Sequence, residues 1–176
     1  MSENMDRKDI LRKGDSRMSV RFPIHLTGLA GEHLTCAEIC KQGFLALIAP
    51  KNNPLFDVVA TDVDGRNSVF IQVKTRRNDQ GWKIGIKNGK GKPDLFVVLV
   101  NLAVKDGNPP DFYIFEHQTL YDRIDQVYQE YLAKPKGNGE KRKEVGFRWI
   151  DEKNLTEEDR SRKNNWDLIL NALKPG

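Results

Sequence analysis

Residues 95–104 form a run in which nine of ten side chains are apolar, Asn101 being the exception. A strand with one solvent-exposed face alternates polar and apolar residues, so an unbroken apolar run predicts a strand that is buried on both faces. The chain is therefore expected to build a sheet that is covered on both sides, with this strand at its centre. The uninterrupted part, residues 95–100, is far shorter than the roughly 20 residues of a membrane-spanning helix, and no membrane partner is predicted.

Patterns on either side of this run predict an α/β fold in which a central mixed β-sheet is flanked by helices. A helix is predicted over residues 29–42, where apolar residues recur at helical spacing and Gly43 ends the pattern. An amphipathic helix is predicted from Leu120 to Tyr131, and Thr156 is expected to cap one final helix. Strands are predicted at residues 44–49, 55–61, 68–75, 82–86, 95–104, 112–115 and 147–150.

A length of 176 residues is that of one ordinary domain. Residues 1–24 are polar and are predicted to form an arm beside a single domain of residues 25–176. The charged loop at 133–144 contains Pro and Gly and is expected to be mobile. Cys36 and Cys40 are four residues apart on the predicted helix, which is a poor geometry for a disulfide. Two buried free thiols and a cytoplasmic location are therefore predicted.

Four polar residues are expected to meet at one end of a predicted hairpin. Asp57 interrupts the apolar strand 55–61, and Gln72 and Lys74 are two residues apart, hence on the same face of the next strand. If these strands pair, the three side chains converge. Glu32 follows the start of the first helix, lies off its apolar stripe, and is expected to reach the same edge of the sheet.

Carboxylate and amide oxygens are the hard ligands that Mg²⁺ prefers. A lysine beside them can orient or deprotonate a water, or stabilise charge on a phosphate. Each residue also has an ordinary interpretation. Asp57 could be a solvated edge-strand residue, Gln72 and Lys74 the polar face of a half-exposed strand, and Glu32 an acid favoured by the helix dipole.

The order of these residues resembles the PD-(D/E)XK nuclease superfamily, which has the restriction endonuclease-like fold. The likeness rests on three segments that span roughly residues 28–104: Gly28-Leu29-Ala30-Gly31-Glu32, Phe56-Asp57-Val58-Val59 and Ile71-Gln72-Val73-Lys74-Thr75. It implies a catalytic site of four residues, in which Glu32, Asp57 and Gln72 would bind Mg²⁺ or Mn²⁺ and Lys74 would be the catalytic lysine. Gln72 stands where the family usually has an acid, which removes one negative charge and should weaken metal binding. Many relatives on this fold are dimers, so a homodimer is a further expectation.

The chain's net charge of +4 is unevenly distributed. Residues 74–92 hold seven basic residues and one acidic residue, a net charge of +6, so the other 157 residues sum to −2. Cations interleaved with an aromatic residue and glycines are typical of a surface that follows a DNA phosphate backbone, although a solvated hairpin would look the same and Trp82 fits a core position better. The predicted nucleic-acid-binding residues are Arg76 and Arg77, nearest the candidate site, and Lys83, Lys87 and Lys90.

Together these features predict a divalent-metal-dependent endonuclease that hydrolyses phosphodiester bonds in DNA. A non-catalytic DNA-binding or protein-interaction module on the same fold is the alternative, and Gln72 in place of an acid favours it. An interaction protein with no nucleic-acid role is a third possibility.

Overall fold

The computed structural model describes residues 23–51, 53–77, 81–85, 94–103 and 107–174. The helices are α1 (Ile24–Lys41), α2 (His117–Ala133), α3 (Glu157–Ser161) and α4 (Asp167–Leu173), with a 3-10 turn at Glu152–Asn154. The strands are β1 (Leu45–Ile48), β2 (Val58–Thr61), β3 (Ser68–Arg76), β4 (Trp82–Gly85), β5 (Leu95–Asn101), β6 (Asp111–Glu116) and β7 (Phe147–Ile150). The α/β class with a central mixed sheet flanked by helices is confirmed.

The central sheet has five strands in the order β1-β2-β3-β5-β6. Only β3 and β5 are parallel, and the other neighbours run antiparallel. The apolar run becomes β5, whose side chains are buried from Leu95 to Val100 because both faces of the sheet are covered there. It lies beside the central strand, which is β3. The predicted pairing of β2 with β3 is confirmed, with Val58 opposite Ile71.

Two cores form, one on each face of this sheet. On one face α1 and α4 pack through Ile39 and Ile169 against the inward side chains of the strands. On the other face, α2 and the two-stranded β4–β7 sheet cover β5 and β6, with Leu120 and Ile150 among the buried residues. Strand β3 alternates between the two faces, so Gln72 and Lys74 project on the side opposite to Val73.

The first helix begins five residues earlier than predicted, directly after Pro23, whose fixed φ suits the entry to a helix. Its end is as predicted, since Gly43 has φ +87° and its amide donates to Cys40 O at 3.0 Å. Both cysteines are free, but the prediction that they are buried is wrong, since Cys36 is half-buried and Cys40 is exposed. Burial raises the pKa of the Cys36 thiol to about 11, so this thiol stays protonated at neutral pH. Residues 1–22 of the predicted arm lie outside the described residues.

The single final helix predicted after Thr156 is wrong, because the chain forms α3 and α4 instead. Thr156 does cap α3, accepting from the amide of Asp159 at 3.1 Å. Between the two helices the chain forms hydrogen bonds with the edge strand β6. The amide of Asn164 donates to Phe112 O at 2.6 Å, and the amide of Phe112 donates to Asn164 Oδ1 at 3.0 Å. This pairing covers the free edge of β6.

Residues 134–146 have neither helix nor strand, as predicted for the loop, and their mobility stays a prediction. None of the helices in the described ranges is both long enough and apolar enough to span a bilayer.

Candidate functional site

Asp57 immediately precedes β2, at the open end of the β2–β3 hairpin, opposite to the turn that joins the two strands. Its amide donates to Ile71 O at 2.8 Å, so the backbone continues the β2–β3 pairing by one residue. Its Oδ2 accepts from the amide of Val73 at 2.7 Å, and this bond holds the carboxylate across the end of the hairpin. Lys74 Nζ lies 3.8 Å from the same oxygen. Both side chains are partly exposed, so a solute can reach them.

Gln72 lies on the same face of β3, two residues before Lys74. Its Nε2 donates to Leu55 O at 3.0 Å, and Oε1 is therefore the atom left to accept from, or to ligate, another group. The sequence offered no signal for this contact, because it uses a backbone carbonyl in the irregular segment before Asp57.

Glu32 belongs to the middle of α1, of which it is the ninth residue, and no acid occupies the first turn of that helix. The helix-dipole interpretation therefore does not apply to it. A Cβ built on the preceding residue, Gly31, would lie 1.9 Å from Thr75 Oγ1. The glycine lets α1 approach β3 closely, and this approach brings Glu32 to the end of the strand that carries Lys74.

Glu32 is near enough to Asp57 and Lys74 for their charges to act on its carboxyl group. Burial raises the pKa of Glu32, and the negative charge of Asp57 raises it further, while His33 and Lys74 act in the opposite direction. Among the residues that the structure describes, no donor bonds to the Glu32 carboxylate. The structure thus brings Glu32, Asp57 and Lys74 together from three elements, with Gln72 beside them.

The donor set fits a hard divalent cation. Two carboxylates that repel each other and one free amide oxygen offer oxygen ligands only, which suits Mg²⁺ with several retained waters. Two carboxylates are fewer protein ligands than a metal site without bound water would need. The described part of the chain contains no cluster of three or more His, Cys, Asp or Glu side chains arranged for a metal. If a cation binds here, Glu32, Asp57 and Gln72 are the residues that would hold it.

The residues that were predicted to contact phosphates are not all accessible in the structure. Arg76 is only 6% exposed, forms an ion pair with Glu152 and stacks on Trp82 with its guanidinium carbon 4.1 Å from the ring centroid. The prediction that Arg76 contacts phosphate is therefore wrong for this conformation, because the side chain is already neutralised in the interior. Arg77 is half-buried, and Lys83 is exposed on β4. Lys87 and Lys90 lie outside the described residues.

Trp82 takes the predicted core position and donates from Nε1 to Val100 O at 2.9 Å. The partner that buries Arg76, Glu152, was missed. It comes from a segment 76 residues further along the chain, and no spacing pattern links the two residues.

The charge of Glu32 makes a testable contribution to stability. Because its pKa is raised in the folded protein, folding favours the protonated form, and the folded state loses stability as the pH rises through that pKa. Glu32→Gln is therefore expected to have a higher Tm than wild type at pH 7. The difference should disappear below the ordinary pKa of 4.5, where the wild-type carboxyl is protonated as well.

Thermal unfolding at both pH values measures this effect. Glu38→Gln is the matched control, since it changes a carboxylate of the same helix that pairs with Lys41 at 2.9 Å, and it should not raise the Tm. A Glu32→Gln variant that is less stable than wild type at pH 7 would contradict the geometry.

Among solved structures the chain is similar to a bacterial homing endonuclease, with a TM-score of 0.52 and 15% sequence identity over 85% of this chain and 95% of that one. At this level of identity the similarity establishes the fold, which is that of an endonuclease structure. No family model matches the chain, and no curated protein matches it. The narrower assignment to the PD-(D/E)XK superfamily stays a prediction.

Proposed function

We propose that this protein is a divalent-metal-dependent nuclease of the PD-(D/E)XK type that hydrolyses phosphodiester bonds in DNA. The observation that carries the proposal is the meeting of Glu32, Asp57 and Lys74 at one end of the β2–β3 hairpin. The fold shared with a homing endonuclease supports it. That protein is a homing endonuclease, and the transfer of such an activity to this chain is part of the proposal.

Each residue has a distinct task in this proposal. Glu32, Asp57 and the Oε1 of Gln72 would hold Mg²⁺ or Mn²⁺, which supplies a Lewis acid and lowers the pKa of bound water. The hydrogen bond from Val73 fixes Asp57 in place, so the ligand is oriented before any cation arrives. The Lys74 ammonium lies beside the carboxylates, where it can orient a water and stabilise the charge that develops on a phosphate.

Lys74 lies beside the Asp57 carboxylate, and its side chain is partly exposed, so it can contact a bound substrate. Lys74→Met keeps the length of the side chain and removes its charge, and we expect DNA cleavage to fall by about 100-fold, the usual effect of losing one electrostatic stabiliser. Lys74→Arg should recover part of the rate because it restores the charge. The measurement is cleavage of supercoiled, linear and branched DNA with Mg²⁺ or Mn²⁺ present.

EDTA provides the control for metal dependence, and Lys51→Met provides a matched loss of charge at an exposed residue. Cleavage that persists at the wild-type rate in Lys74→Met would remove Lys74 from the mechanism. Salt-sensitive DNA binding with no cleavage of any substrate would favour the non-catalytic alternative, which Gln72 in place of an acid makes chemically reasonable.

A further inference from the structure

A groove of about 590 Å³ lies between the C-terminal half of α2 and strand β7. Its volume falls within the roughly 300–1,000 Å³ of ligand pockets. Two aromatic side chains that line it, Tyr131 from α2 and Trp149 from β7, are 45% and 43% exposed. The candidate site contributes none of the groove's described lining residues, so this is a separate surface of the protein.

Three cations lie on aromatic rings at this groove. The Arg148 guanidinium carbon is 3.2 Å from the Tyr128 ring centroid, and Arg142 is 4.2 Å from that of Tyr131. On the adjoining outer face of the small sheet, Lys83 Nζ lies 4.6 Å from the centroid of Phe147. Cation–π contacts hold these side chains in place without neutralising their charge.

Within the described ranges, none of these three cations forms an ion pair. The two arginines donate to backbone carbonyls instead, Arg148 to Val145 O and Phe147 O, and Arg142 to Lys134 O. By contrast, Arg123 and Arg162, whose side chains are mostly buried, pair with carboxylates at 2.9 and 2.8 Å. The groove lining also contains two acids, Glu130 and Asp151, and Asp151 lies 3.6 Å from Lys153, but among the described residues neither acid pairs with Arg142, Arg148 or Lys83.

The pairing of β4 with β7 explains how two distant segments build this surface. Lys83 lies opposite Trp149 in the register, while Trp82 and Ile150 point inward and are buried. The inward pair anchors the small sheet to the core, and alternation then directs Lys83 and Trp149 outward. The basic segment predicted to meet DNA therefore receives its exposed aromatic partner from β7.

Exposed ring faces and unneutralised cations are the two requirements for binding single-stranded nucleic acid, in which bases stack and phosphates meet cations. Protein interfaces are also enriched in aromatic residues and Arg, but their cores are depleted of charged residues as a group, whereas three cations lie together here. We propose that this groove binds an unpaired stretch of DNA, with a base stacked on Trp149 and phosphates on Lys83, Arg142 and Arg148. The inference rests on the proposed function in taking DNA as the partner.

Trp149 provides the readout, because the other two tryptophans, Trp82 and Trp166, are buried. Oligothymidylate added to the wild-type protein in EDTA should quench its fluorescence to saturation, and labelled oligothymidylate should show the same affinity by anisotropy. Trp149→Leu should abolish the saturable quenching and weaken binding about 10-fold. Lys83→Gln combined with Arg142→Gln should reduce the double-logarithmic salt slope by about 1.4.

Lys41→Gln is the matched control, since it removes an exposed charge from α1, away from the groove, and it should leave binding unchanged. No binding of the oligonucleotide at about 50 mM salt, or equal binding by wild type and both groove variants, would overturn the inference. The inference would also be overturned if the wild-type protein were a dimer that Trp149→Leu dissociates without changing the affinity for the oligonucleotide.

Cleavage is measured separately with Mg²⁺, so the two proposals fail in different ways. Quenching without cleavage contradicts the proposed nuclease activity alone, and cleavage without quenching contradicts the role of the groove alone.

Discussion

Asp57→Asn is expected to lower the rate of DNA cleavage by about 100-fold or more while leaving the fold intact. Asparagine keeps an oxygen that can accept from the Val73 amide, which donates to Asp57 at 2.7 Å in the wild type. It removes the negative charge that a cation would need and that lies 3.8 Å from Lys74. Losing a charge that acts on the transition state costs about 10²–10³ in rate. The measurement is the initial rate of plasmid cleavage with Mg²⁺.

Asp64→Asn is the matched control for this variant. It makes the same chemical change at an exposed turn carboxylate, which lies 3.7 Å from Arg66 and takes no part in the candidate site. Its rate should equal that of wild type, and the Tm of Asp57→Asn should show that the variant is folded. A folded Asp57→Asn that cleaves at the wild-type rate would exclude Asp57 from the chemistry.

Asp159→Ala is expected to destabilise the protein by about 3 kcal/mol, the cost of leaving one partner of a buried ion pair alone. Asp159 is 4% exposed, and its Oδ2 accepts from Arg123 Nε and from the Thr156 amide, each at 2.9 Å. These bonds join α2 to the start of α3. In a protein of this size such a loss corresponds to a fall in Tm of about 6–12 °C.

Urea unfolding of Asp159→Ala and of Glu158→Ala tests this expectation. Glu158 is the adjacent acid of the same first turn, it is exposed, and it lies 3.6 Å from Arg162. Removing the Glu158 carboxylate should lower the free energy of unfolding by less than about 1 kcal/mol, because exposed ion pairs contribute little to stability. Equal losses in the two variants would show that the Asp159 network does not stabilise the fold.

The parts of the fold that follow from local pattern were predictable. The apolar run gives β5 because burial on both faces requires apolar side chains throughout. The β2–β3 hairpin follows from two apolar strands and a turn, and it places Asp57 beside Gln72 and Lys74. The approach of Glu32 was predicted from its place off the apolar stripe, and the structure adds Gly31 as the physical cause.

The failures involve contacts between distant segments. One uninterrupted helix after Thr156 was expected because its apolar spacing is regular, but pairing of Asn164 with Phe112 at the sheet edge breaks it. Arg76 looks like a surface cation in the sequence, and it is buried because Glu152 returns to meet it. Exposure of Trp149 depends on the register of β4 with β7, which no local pattern encodes.

Calorimetric titration of Mg²⁺ and Mn²⁺ into the wild-type protein, Asp57→Asn, Glu32→Gln and Asp64→Asn tests the central claim most directly. If Glu32, Asp57 and Gln72 form one cation site, wild type and Asp64→Asn will bind one ion per chain, and the two site variants will lose that binding. No saturable binding to wild type, or equal binding to Asp57→Asn, would contradict the assignment of a metal-dependent catalytic site at the end of the β2–β3 hairpin.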